Sequence, residues 1–138
     1  MVTNRFVALG ILLEGDRVLL VKRSLARELY PGVWDFPGGH GEAGEEPEET
    51  LTRELSEELG IVPTQYFDLR RPDVNVEELP VHFFRVTRWI GTPHNLQEHE
   101  HSEVAWVGCS DLPRLELASA TMPQLIEIAM RVQGPWAQ

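Results

Sequence analysis

Apolar residues along this chain recur with two periods, and the switches between them outline its elements. Arg5 to Leu13 (RFVALGILL) is an apolar run rich in strand formers, Glu14-Gly15-Asp16 is a turn, and Arg17 to Arg23 (RVLLVKR) is a second run. Together they predict a β-hairpin. Val62 to Leu69 and Leu79 to Trp89 predict two further strands, with clear alternation in VHFFRVTRW. The polar stretch Arg70 to Glu78 between them, with Pro72 and Asp73, reads as a turn. Ser24 to Gly32 reads as a loop with a short helical turn, and Trp34 and Phe36 as core or pocket-wall residues. Gly91 to Glu103 is a loop rich in Glu and His, Val104 to Val107 a short strand, and Asp111 with Pro113 a turn or short helix.

The helical period appears twice. Pro47 can open a helix, where its missing N–H does no harm, and Gly60 can end it. Leu51, Leu55 and Leu59 then line one side of a helix over 47–59. Met122 to Val132 forms a second amphipathic helix with Leu125, Ile126, Ile128 and Ala129 available for packing, and Gly134 to Gln138 is expected to fray. Strands on either side of one helix, followed by a C-terminal helix, predict an α+β or α/β layer arrangement. No repeat or linker interrupts it, so residues 1–138 are expected to form a single domain.

Composition narrows the partners. Twenty-two Asp and Glu against 12 Lys and Arg leave a net charge of −10, which opposes binding to DNA, RNA or anionic lipid. An anionic small molecule would also be repelled unless divalent cations intervene. The apolar runs are too short to span a bilayer, and MVTNRFVALG lacks a signal-peptide layout. With one cysteine, Cys109, the expected compartment is the reducing cytoplasm.

The densest chemistry lies in GHGEAGEEPEETLTRELSEELGI, Gly39 to Ile61. A glycine-rich loop leads into the first helix, which carries Glu54, Glu57 and Glu58. Their spacing puts three carboxylates on one face, about a right angle from the leucine stripe. Like charges so placed repel. A hard cation would remove that cost, because Mg²⁺ takes oxygen ligands and binds with the help of substrate phosphates. A solvated acidic face has the same spacing, so the residues alone leave both readings open.

Gly39, Glu45, Arg53, Glu54, Leu55, Glu57, Glu58, Gly60 and Ile61 occupy every fixed position of the Nudix box, G-x5-E-x7-R-E-U-x-E-E-x-G-U with U aliphatic. The chain therefore resembles the Nudix hydrolases, most of all the small MutT-like members. The resemblance implies an α/β/α sandwich around a mixed sheet. It also implies Mg²⁺- or Mn²⁺-dependent hydrolysis of a phosphoanhydride in a nucleoside diphosphate linked to another group. The metal ligands it implies are Glu54, Glu57, Glu58 and the Gly38 carbonyl. Arg53, pairing with Glu57 or Glu45, would orient them; Glu45 could equally be an ordinary helix-start charge. Arg23 is implied as a phosphate contact, against the commoner reading of a solvated strand-end charge.

A general base in this family can come from a late loop before a tryptophan-bearing strand. Counting back from Trp106 selects Glu100, then Glu98, then Glu103; His99 and His101 flank the first. Thr121, in Thr121-Met122-Pro123, stands where MutT-type enzymes place the asparagine or aspartate that reads a purine edge. A hydroxyl cannot make paired amide contacts, which weakens the case for an oxidised-guanine substrate. The expected activity is a (d)NTP pyrophosphatase releasing NMP and pyrophosphate, in a monomer or homodimer. The alternatives are a hydrolase of nucleotide sugars or other conjugates, and a catalytically silent nucleotide sensor.

Overall fold

The computed structural model describes residues 6–132. The element order is β1 (Val7–Glu14), β2 (Arg17–Arg23), β3 (Trp34–Asp35), β4 (Gly38–His40), α1 (Pro47–Leu59), β5 (Val62–Asp68), β6 (Asn75–Val76), β7 (Leu79–Ile90), β8 (His101–Gly108), a 3₁₀ helix (Cys109–Arg114) and α2 (Met122–Arg131). The hairpin β1–β2 turns at Glu14–Arg17, with Leu13 opposite Val18. The expected start at Arg5 and the expected fraying of Gly134 to Gln138 lie outside the described residues.

The sheet is mixed. Its main order is β3-β2-β1-β7-β5, with β4 on β1, β6 on β7 and β8 on β2. β1 and β7 run parallel, Val7 opposite Val81, while the other strand pairs are antiparallel. Parallel neighbours need a crossover, and α1 lies in the chain between them. Side chains of β1 alternate between two cores. Leu9 and Ile11 face α2 through Leu125, Ile126 and Ala129, whereas Ala8 and Leu12 face Leu51, Leu55 and Leu59 of α1. The result is an α/β fold with helices on both faces of a mixed sheet.

Local chemistry sets the ends of α1. The Glu46 N–H donates to Glu49 Oε1 at 2.8 Å, and Pro47 occupies the first turn. At the far end Gly60 takes φ 71°, the left-handed conformation that stops the helix. The leucine stripe is wholly buried, each residue at 0% exposure.

Several elements differ from the sequence expectation. β8 begins at His101, inside the stretch expected to be loop, because Arg23 at the end of β2 extends the pairing back to that residue. The two- and three-residue strands β3, β4 and β6 were not expected; they are too short to show a period and exist by pairing with longer neighbours. Residues 24–32 hold a hydrogen-bonded turn, Arg27 N–H to Ser24 O at 3.1 Å, and no helix.

Candidate active site

A cleft of about 870 Å³ opens beside β4 and the acidic face of α1. Gly38, Gly39, Glu54 and Glu58 line one part, Arg23, Arg27 and Glu100 another, and Ser119, Thr121, Met122 and Leu125 a third. The volume is that of a small-molecule site.

β4 is the platform for the acidic helix. Gly38 has φ 139°, and a methyl group there would collide with the Ala8 carbonyl oxygen of β1. A methyl group on Gly39 would collide with the Glu54 carboxylate. Only backbone without a side chain lets β4 pass between β1 and α1 so closely. The Gly38 N–H donates to Glu58 Oε1 at 3.3 Å.

The three glutamates of the box are not equivalent. The Glu58 side chain is 8% exposed and that of Glu54 16%, whereas Glu57 is 49% exposed. Glu54 and Glu58 share a hydrogen bond. Burial raises the pKa of each; the Glu54 carboxylate pushes Glu58 further, well above the carboxylate range. Glu57 does not line the cleft; its Oε1 accepts from Arg53 Nη1 at 3.2 Å.

Arg53 ties the box together. Its Nε donates to Glu45 Oε2 at 2.7 Å, one Nη2 bond reaches Glu45 Oε1 at 3.1 Å, and another reaches the His40 carbonyl at 3.1 Å. Glu45 also accepts from the buried Thr50 hydroxyl at 2.7 Å and from the Glu42 N–H at 2.9 Å. Arg53 holds the Glu45 pKa down to about 2. Glu45 therefore closes the loop onto the helix and is more than a helix-start charge.

Opposite these acids, Arg23 Nε donates to the Leu29 and Tyr30 carbonyls at 3.0 and 3.1 Å, and its guanidinium sits 6.0 Å from the Tyr30 ring centre. Glu100 lines the cleft and accepts from Arg27 Nη1 at 3.3 Å. Glu98 is exposed outside the cleft, and Glu103 lies 3.9 Å from Lys22. Of the two flanking histidines, His99 is exposed. His101 is buried, its Nε2 3.9 Å from Glu58 Oε1, and burial lowers its pKa to about 4, so the ring is neutral. Its Nδ1 is buried without a hydrogen-bond partner among the described residues. Thr121 caps α2 at the cleft's far end, its hydroxyl 2.8 Å from that of Ser119.

Sequence reasoning missed four lining residues. Asp35 is half-buried, its desolvation raises its pKa to about 6, and it accepts from the Phe36 N–H. His40 and Glu77 meet at 3.0 Å across the cleft. Arg27 lies in an aperiodic loop, where spacing carries no signal.

Among the described residues no three His, Cys, Asp or Glu side chains converge on a ready-made metal cage. The donors present still fit a hard divalent ion. Glu54 and Glu58 are neighbours one turn apart on α1, with side chains 16% and 8% exposed, so a cation between them would offset their mutual repulsion. Mg²⁺ commonly takes one or two carboxylates and completes its shell with water and substrate phosphate.

The comparisons agree with this architecture. The NUDIX domain family model matches residues 3–127. A CTP pyrophosphohydrolase from Escherichia coli is 33% identical over 125 residues, covering 89% of this chain and 90% of that protein. An 8-oxo-dGTP diphosphatase from the same organism is 33% identical over 89 residues, 63% of this chain and 69% of that protein. A solved MutT NUDIX hydrolase from Burkholderia pseudomallei superposes with a TM-score of 0.74 at 24% identity, over 94% of this chain and 98% of that one, and shows the shared fold. A complete box on a mixed sheet between two helices, with pyrophosphohydrolases among its relatives, places this chain in the NUDIX family as a MutT-like hydrolase.

Proposed function

We propose that the protein is a Mg²⁺-dependent nucleoside-triphosphate pyrophosphatase, with Mn²⁺ as a substitute, that releases a nucleoside monophosphate and pyrophosphate. The observation that carries this reading is the close Glu54–Glu58 pair, Glu58 buried, set against Gly38 and Gly39 in a nucleotide-sized cleft. Glu54, Glu58 and the Gly38 carbonyl would hold the cation, and Glu57 would join them by leaving Arg53. A bound divalent ion would neutralise phosphate oxygens and activate a water.

The chain's own residues do the rest. Arg53 and Glu45 keep the box loop rigid, so the carboxylates are positioned before substrate arrives. Arg23, fixed by two carbonyls, presents its remaining N–H groups to phosphate. Glu100 accepts the proton of the attacking water. Thr121 and Ser119 face the base end with hydroxyls only, so this reading stops short of naming the base.

The relative named a CTP pyrophosphohydrolase supports the same reaction type. The test is a panel of nucleoside triphosphates, their oxidised forms and nucleotide sugars, with Mg²⁺ and products resolved by mass. Monophosphate plus pyrophosphate from a triphosphate is expected, and Glu57→Gln should abolish it while leaving the melting curve intact. Orthophosphate as the product, or cleavage of nucleotide sugars alone, would overturn the assignment.

A further inference from the structure

One cationic group of the cleft belongs to neither the box nor any strand. Arg27 lines the cleft with its side chain 30% exposed, and its Nη1 lies 3.3 Å from Glu100 Oε1. The backbone sets this meeting: the Ser24 N–H donates to the Glu100 carbonyl at 2.8 Å, and the Arg27 N–H to the Ser24 carbonyl at 3.1 Å. The loop after β2 is thus sewn to the residue its arginine faces.

The other arginines of the cleft are committed differently. Arg53 is held by Glu45, Glu57 and the His40 carbonyl. Arg23 spends its Nε on two carbonyls and stands close enough to Arg27 that, after burial, that second positive charge lowers its pKa. Two guanidinium groups at one wall, repelling each other, favour an anion between them. In a chain of net charge −10, such a pair facing a cleft is the local exception.

The Arg27–Glu100 pair is part-exposed on both sides, 30% and 40%, and such pairs contribute little net stability. A phosphate group, with higher charge and geometry matched to the guanidinium fork, competes well for the arginine. Resting on the reading of the cleft as a nucleotide-hydrolysing site, we propose that Arg27 is a phosphate-binding residue. It exchanges Glu100 for the free terminal phosphate of a nucleoside triphosphate, releasing the Glu100 carboxylate as substrate enters. A terminal phosphate carries nearly two charges, whereas the distal phosphate of a nucleotide sugar is esterified and carries one. The exchange therefore favours triphosphates over conjugates, and it keeps Glu100 tied down in the empty cleft.

Steady-state kinetics of the wild type, Arg27→Ala, Arg27→Lys and Glu100→Ala test this, with a nucleoside triphosphate and a uridine diphosphate sugar as substrates or competitors and pyrophosphate as inhibitor. For Arg27→Ala, KM for the triphosphate and the inhibition constant of pyrophosphate should each rise about tenfold, the loss of one charge-assisted contact. Its kcat should stay within about threefold, the sugar constants should barely move, and Arg27→Lys should recover part of the loss. Unchanged KM and pyrophosphate inhibition with kcat falling as in Glu100→Ala would show that Arg27 only holds Glu100, and would overturn the proposal. So would equal losses on both substrates. Melting curves check folding, and if Arg27→Ala unfolds, Arg27→Lys decides through the same constants. A wild type that cleaves no triphosphate would instead refute the proposed function, a result distinct from either Arg27 outcome.

Discussion

At the scale of single residues, the site depends on atoms that are missing as much as on those present. Gly38 and Gly39 have no Cβ, and that lets β4 lie against both β1 and the Glu54 carboxylate. The charge pattern is equally local. Glu45 and Glu58 stand in one motif with pKa values moved in opposite directions: Arg53 holds Glu45 down to about 2, and burial pushes Glu58 up. For Glu45 the consequence for stability has a definite sign. Its folded pKa lies below the ordinary glutamate value of about 4.3, so its contribution is complete above that value and is lost as pH falls toward about 2. Glu45→Gln should therefore melt below the wild type at neutral pH, by about 3–5 °C for each kcal/mol in a chain of this size. That gap should close between about pH 4.5 and pH 2, as measured by thermal melts across the range. A gap independent of pH would mean that the Arg53–Glu45 contact acts through shape alone.

At the scale of elements, the hairpin β6–β7 combines strain with a functional contact. Val76 pairs with Leu79, which leaves Glu77 and Glu78 as a two-residue turn with φ 54° and 62°. Turns with both central residues left-handed favour Asn-Gly, and a glutamate there costs about 1 kcal/mol. Glu77 bonds His40 across the cleft, whereas Glu78 does not line the cleft. Glu78→Gly should raise the melting temperature by about 3 °C without moving Glu77, and Glu78→Val should lower it. A Glu78→Gly protein no more stable than the wild type would show that the turn carries no strain. Helix α1 is the opposite case. Its proline start, glycine stop and leucine stripe all agree with its place in the fold, and its predicted span, 47–59, is the observed one.

For the whole molecule, the net charge of −10 and the close Glu54–Glu58 pair, with Glu58 buried, both oppose the folded state, and a bound divalent cation would relieve both. Millimolar Mg²⁺ should raise the melting temperature beyond NaCl of matched ionic strength, since an ion at 100 times its dissociation constant adds about 2.7 kcal/mol. Glu54→Gln/Glu58→Gln should lose that difference. An equal response to both salts in the wild type would leave the acidic helix a merely solvated one. No helix among the described residues is long and apolar enough to cross a membrane.

How much of this was legible beforehand depends on the range of the interaction. The periods of β1, β2, β5, β7, α1 and α2 reflect which side chains face a core, and that is written locally. The spacing within the box put Glu54 and Glu58 on one face of α1 in advance, because fixed helical spacing translates directly into position. Tertiary structure alone decided that His101 is buried at the start of β8 and that Arg27 meets Glu100 across 73 residues. Each depends on pairing between segments distant in the chain. Spacing within a segment cannot encode such contacts; they follow from how β2, β8 and α1 come together.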